Sequence, residues 1–209
     1  MKTRTLFVVL GLLFASNASA TLISNGSFEY LGESDADPNY GSPATWQIYS
    51  ELPGWDASRT MEVWQSGFNG VAAQDGQQFV ELNAHPGNGD GPFSFGQDVA
   101  TSAGQKYEVS FWARARDNTH ESFLFTVGDL IDAAVTTHVL GEWTQIAFQF
   151  RANSDSTRVQ FTSLDGNGDT TGNLLDDVRL MAIPEPGTLA LLLLGAIVLI
   201  FSRRFFTSK

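Results

Sequence analysis

The chain has no cysteine and few bases: 12 Lys and Arg stand against 23 Asp and Glu, giving a formal net charge of −11. Without cysteine there is no disulfide framework, thiol nucleophile or thiolate metal site, so a folded domain here must rest on burial, hydrogen bonds or an oxygen-ligated metal. The three histidines, His85, His120 and His138, lie in separate segments with none of the spacing of a metal-binding helix. Neither a phosphate loop nor a Gly-x-Ser-x-Gly elbow occurs. Acids are plentiful, but abundance alone singles out no glycosidase pair. The chain is therefore not expected to be an enzyme, and a polysaccharide hydrolase is the least favoured reading. Long apolar runs are also lacking except at the two ends.

Those ends are targeting segments by pattern. Lys2 and Arg4 precede an apolar stretch from Leu6 to Phe14, and Ala18-Ser19-Ala20 supplies the small residues of a signal-peptidase site. Residues 1–20 are expected to be a signal peptide, cut after Ala20. At the other end Pro184, Glu185 and Pro186 lead into an apolar run from Leu189 to Phe201, closed by Arg203 and Arg204. Pro186 suits the first turn of a helix, where its missing N–H goes unneeded. Thirteen apolar residues reach only ~20 Å, short of the ~30 Å hydrocarbon core. A membrane helix over 188–202 would need the two arginines to snorkel, on the cytoplasmic side.

Motif, apolar helix and basic stop in that order resemble the bacterial PEP-CTERM sorting signal. The resemblance implies recognition by an exosortase in the membrane and delivery to the cell surface or extracellular matrix, alongside exopolysaccharide. An ordinary membrane anchor is the alternative.

Five of the 12 bases and only one acid, Glu185, fall in the two terminal segments, which leaves residues 21–183 with 22 acids and 7 bases. Such a field repels nucleic acid and favours solubility and cations, so no nucleic-acid partner is expected.

Residues 21–183 read as one domain of short strands broken by Gly, Asn, Asp and Ser, which predicts an all-β jelly-roll β-sandwich. Tyr107, Val109, Phe111, Ala113 and Ala115 share one parity and predict a core face, with Glu108, Ser110, Trp112, Arg114 and Arg116 outward. Ile146, Phe148 and Phe150 face in, opposite Gln145, Ala147, Gln149 and Arg151. Val159 and Phe161 face in, and Phe123, Phe125 and Val127 form a further half-buried run. Asp176 shares the parity of Val178 and Leu180, which puts a carboxylate on a core face. That is costly unless it is hydrogen-bonded, paired or bound to metal.

Asn25-Gly26-Ser27-Phe28-Glu29, Pro53-Gly54-Trp55, the strand from Asp75 to Asn83, Tyr107–Ala113, Trp143–Phe150 and Leu174-Leu175-Asp176-Asp177-Val178 follow one another in order. The series resembles the DUF642 and choice-of-anchor domains, which are similar to galactose-binding and carbohydrate-binding-module jelly rolls. The resemblance implies a structural Ca²⁺ tying the first strand to the last, at Glu29 and Asp176. The other reading of Asp176 is a carboxylate satisfied by backbone N–H groups near a turn. A third candidate, Asp165-Gly166-Asn167-Gly168-Asp169, opens like an EF-hand loop but has Thr170 where the sixth-position Gly belongs, and reads better as a hairpin turn.

Sugar recognition needs exposed aromatic planes beside hydrogen-bonding groups. Trp112, outward beside Arg114, fits by parity. Trp64, with Tyr49 near it in sequence, is expected to form a loop-borne wall, unless these rings are buried under loops. Trp55 and Trp143 are assigned to structure. The sequence thus points to a non-catalytic exported protein binding exopolysaccharide or envelope carbohydrate, with a structural matrix protein lacking a ligand groove as the alternative.

Overall fold

The computed structural model describes residues 20–33, 36–83, 93–117, 121–136, 139–164, 171–184, 195 and 197. Residues 1–19, His85, His120, His138, Asp165–Asp169, Glu185, Pro186, Arg203 and Arg204 lie outside the described residues. Of the expected membrane helix only Gly195 and Ile197 are described, and both are helical. Among the described residues no helix is long and apolar enough to cross a membrane.

The strands are β1 (Trp46–Tyr49), β2 (Asp56–Ala57), β3 (Met61–Gln65), β4 (Gln78–Leu82), β5 (Ser94–Ala100), β6 (Lys106–Arg114), β7 (Phe123–Val127), β8 (Ile131–Val135), β9 (Thr144–Arg151), β10 (Ser156–Ser163) and β11 (Asn173–Ala182). They form two sheets, β1-β3-β4-β11-β6-β9 and β2-β5-β10-β7-β8. Every pairing between these strands is antiparallel. The protein is an all-β sandwich.

Alternation decides which residues fill it. The predicted inward set of β6, Tyr107 to Ala113 at every second position, is buried, as are Phe123, Phe125, Val127, Val159 and Phe161. Between the sheets Phe111 lies 4.7 Å from Phe125 and 5.0 Å from Phe161 by ring centroid. Aromatic pairs of this kind add roughly 0.5–1.5 kcal/mol each beyond the area they bury, in a domain with no disulfide to help.

The N-terminal segment closes on the last strand through hydrogen bonds at residues 21 and 22. Leu22 N–H donates to the Leu180 carbonyl at 2.7 Å, and Leu180 N–H donates to the Thr21 hydroxyl at 3.1 Å. Gly26 lies so close to β11 that a Cβ there would sit 2.0 Å from the Val178 carbonyl oxygen.

One expectation fails on a single extra residue. Asp176 stands opposite Trp112 and Arg179 opposite Ser110, so three steps on β11 match two on β6. This is a β-bulge, with Asp177 at φ 49°. Leu175 on one side of it and Val178 and Leu180 on the other all join the inter-sheet core, while Asp176 sits on the opposite face of the sheet. The shared parity of Asp176 with Val178 in the sequence is broken by the bulge.

Candidate functional site

Cross-strand register assembles a polar row on the outer face of the six-stranded sheet. Glu62 of β3 faces Glu81 of β4, Glu81 faces Leu174 of β11, and Leu174 faces Arg114 of β6. One step along, Trp64 faces Phe79, and Asp176, Trp112 and Gln145 of β9 follow one another. Trp112 and Arg114 therefore share one face with three carboxylates, Glu62, Glu81 and Asp176, as side-chain alternation requires.

Half of this face is roofed. Trp64 is 1 % exposed on β3, edge-on to Phe68 at 4.7 Å, beneath a segment that brings Phe68, Val71 and Ala73 over it. Trp143 donates its indole N–H to the Ala72 carbonyl at 2.8 Å and stands edge-on to Phe79. Tyr49 is 4 % exposed, in the inter-sheet core, and burial raises its pKa. Trp64 and Tyr49 thus occupy strands with their rings against protein, in place of the loop-borne wall expected from their spacing. The reason is that both lie in β-ladder positions, Trp64 opposite Trp46 and Tyr49 opposite Met61, and ladder alternation fixes where each ring points.

The buried carboxylates are held unequally. Glu81 Oε1 accepts from Arg116 Nη1 at 2.7 Å and from Gly172 N–H at 2.8 Å, while Glu81 Oε2 is buried with no hydrogen-bond partner. Glu62 Oε1 accepts the Trp64 indole N–H at 2.7 Å. The Arg116 guanidinium also lies 4.8 Å from the Trp64 ring centroid. Burial, and after it the charge of Glu62, pushes the Glu81 carboxyl well above the usual range, with Arg116 opposing. Arg114 Nε is a second buried polar atom with no hydrogen-bond partner, on the same row. Neither orphan has a visible sequence signal; both follow from long-range register.

The face is open at β6 and β9. Trp112 is half-buried, and Gln145, Ala147 and Gln149 are exposed. Among the described residues Trp112 makes no ring contact, and its indole N–H has no protein acceptor.

Glu29 and Asp176 do come to one place, the turn at residues 74–78. Asp176 Oδ2 accepts from Gln74 N–H at 2.7 Å and Asp75 N–H at 2.9 Å, and Oδ1 accepts from Asp177 N–H at 2.7 Å. Glu29 Oε1 accepts from Gln77 and Gln78 N–H, both at 2.7 Å. Gly76, at φ +68°, leaves room for that carboxylate: a Cβ there would lie 2.4 Å from Glu29 Oε1. Three of the four carboxylate oxygens already face positive N–H hydrogens, which disfavours a cation bridging the two acids. Among the described residues no group of three or more His, Asp or Glu side chains gathers as a metal site. Burial raises the Asp176 pKa from 3.8 to about 7, against the three backbone N–H bonds.

Fold and tail together define an all-β sandwich protein that carries a C-terminal sorting signal. Residues 182–204 match the PEP-CTERM protein-sorting motif. Residues 21–181 match the protein family of unknown function DUF642, and the chain belongs to that family. No curated protein matches the chain by sequence. Among solved structures, the Stig cyclase Fisc from Fischerella sp. TAU is similar, with a TM-score of 0.57 at 16 % identity over 80 % of this chain and 99 % of that one. At that identity the likeness is one of fold. TmCBM61, solved in complex with β-1,4-galactotriose, matches at TM-score 0.46 and 18 % identity over 79 % of this chain and 100 % of its own. The CBM22-1 xylan-binding domain of Paenibacillus barcinonensis Xyn10C matches at 0.43 and 16 %, over 82 % and 99 %.

Proposed function

We propose that the protein is a non-catalytic carbohydrate-binding jelly roll, exported through its signal peptide, carried to the membrane by the 188–202 helix and sorted by an exosortase to the surface or matrix. There it binds exopolysaccharide or envelope glycan on the open outer face of the six-stranded sheet. The observation that carries this reading is Trp112: a half-buried tryptophan with no ring partner among the described residues, in register with Gln145 and one row from Arg114. A pyranose offers an apolar C–H face to such a ring and hydroxyls to the groups around it. The exposed amide of Gln145, in register with Trp112, can donate to and accept from those hydroxyls.

The test is retention of the purified protein in native gels containing exopolysaccharide fragments without free amines. Trp112→Ala is expected to abolish retention with an unchanged urea midpoint. Unaltered retention removes the sheet face from the proposal. For sorting, Glu185→Ala is expected to hold the chain in the membrane fraction; unchanged delivery to the surface counts against exosortase recognition.

A further inference from the structure

Two motifs of the sequence, Asn25–Glu29 and Pro53–Trp55, take no part in the sheet-face site, yet they lock onto each other. The Asn25 side chain holds both backbone groups of Tyr30, accepting its N–H at 3.0 Å and donating to its carbonyl at 2.8 Å. The same amide nitrogen donates to the Pro53 carbonyl at 3.1 Å. Trp55 donates its indole N–H to the Asn25 carbonyl at 2.9 Å and stacks on Phe28 at 5.3 Å. Gln97 of β5 binds Ser24 through both ends of its amide and also donates to the Gly54 carbonyl.

This framework walls a cleft of about 890 Å³ at the β2 edge of the five-stranded sheet, within the roughly 300–1,000 Å³ range of ligand sites. Gln97 and Tyr30 both line it. Tyr30 is 61 % exposed while its backbone N–H and carbonyl are both held by Asn25, so an accessible aromatic side chain stands on an anchored backbone. Around it stand Glu33, Glu51, Asp56 and Asp98, and among the described residues no Lys, Arg or His lines the cleft. Arg158, to one side, binds Asp56 at 2.8 Å and Asp98 at 3.2 Å. Glu33 and Glu51 have no ion pair among the described residues.

We infer that this cleft is a second binding site, distinct from the sheet face, which takes amino-sugar units carrying a free ammonium group. The Tyr30 ring matches the apolar face of a pyranose and attracts its ammonium. The carboxylates accept from hydroxyls and give the site one sign of charge. A cationic peptide shares the charge but fits less well, because β2 is a two-residue edge strand and offers an extended chain almost no ladder.

The inference stands without the Trp112 reading, and the experiment separates them. A β-1,4-linked glucosamine tetramer, its fully N-acetylated counterpart and tetralysine are titrated calorimetrically into the purified protein and its variants at pH 6. The glucosamine tetramer is expected to bind at least tenfold more tightly than either of the others and to weaken with added salt. Tyr30→Ala and the double variant Glu33→Gln/Glu51→Gln are each expected to lower its affinity about tenfold or more, with thermal midpoints unchanged, while Trp112→Ala leaves it as it is. Equal binding of the acetylated tetramer, tighter binding of tetralysine, or indifference to both cleft variants overturns the inference.

Discussion

The Asp176 carboxylate accepts the backbone N–H of Asp75 at 2.9 Å across 101 residues of sequence. With Gln74 N–H on the same oxygen, it fixes the segment that roofs Trp64 and Phe79 to the bulge of the last strand. A fully buried acid on an outer sheet face is thus a structural pin, and its charge state matters to stability.

Asp176→Ala leaves the Gln74, Asp75 and Asp177 amides without their acceptor and is expected to lower unfolding stability by roughly 3 kcal/mol, read from urea denaturation. Because the folded pKa, about 7, lies above the ordinary 3.8, the folded state holds this proton more tightly. Its stabilising contribution is therefore complete below ~4 and lost as pH rises through ~7. The fall in unfolding free energy from pH 5 to pH 8 should be shallower in Asp176→Asn than in the parent.

Arg116 and Glu81 form a 2.7 Å ion pair in which the Glu81 side chain has no exposed surface. Arg116→Met strands that carboxylate and is expected to cost about 3–5 kcal/mol, whereas Arg116→Met with Glu81→Leu should cost less than the sum of the single changes. A double-mutant cycle by chemical denaturation checks this.

Gly26→Ala forces a Cβ to within 2.0 Å of the Val178 carbonyl oxygen, where only backbone movement relieves the clash. A loss of about 1–3 kcal/mol is expected, seen as a lower thermal midpoint. Gly67→Ala is no neutral control despite its open space, since its φ of +94° strains any side chain.

Removing divalent cations should leave the thermal midpoint unmoved, because both Asp176 oxygens and Glu29 Oε1 already accept from five backbone N–H donors. A midpoint that drops with EDTA and returns with calcium shows an ion bound elsewhere or a rearranged turn.

Much of the sandwich was legible because strand alternation is local. The inward and outward residues of β6 and β9 lie where their parity puts them, and Trp112 faces outward. What escaped was set by distant partners. The bulge that moves Asp176 to the other face shows only when β11 is paired with β6. Trp64 reads as a wall until the segment around Val71 is seen above it. The Tyr30 cleft depends on Asn25 meeting Pro53 across 28 residues and Ser24 meeting Gln97 across 73. No window of sequence contains those pairs.

The most direct measurement follows the five tryptophan indole N–H signals of the purified protein by NMR as amine-free exopolysaccharide fragments are added. The account expects the Trp112 signal to shift saturably, while those of Trp55 and Trp143, already bonded to Asn25 and Ala72 carbonyls, stay in place. A Trp112 signal that does not move while the glycan binds contradicts it.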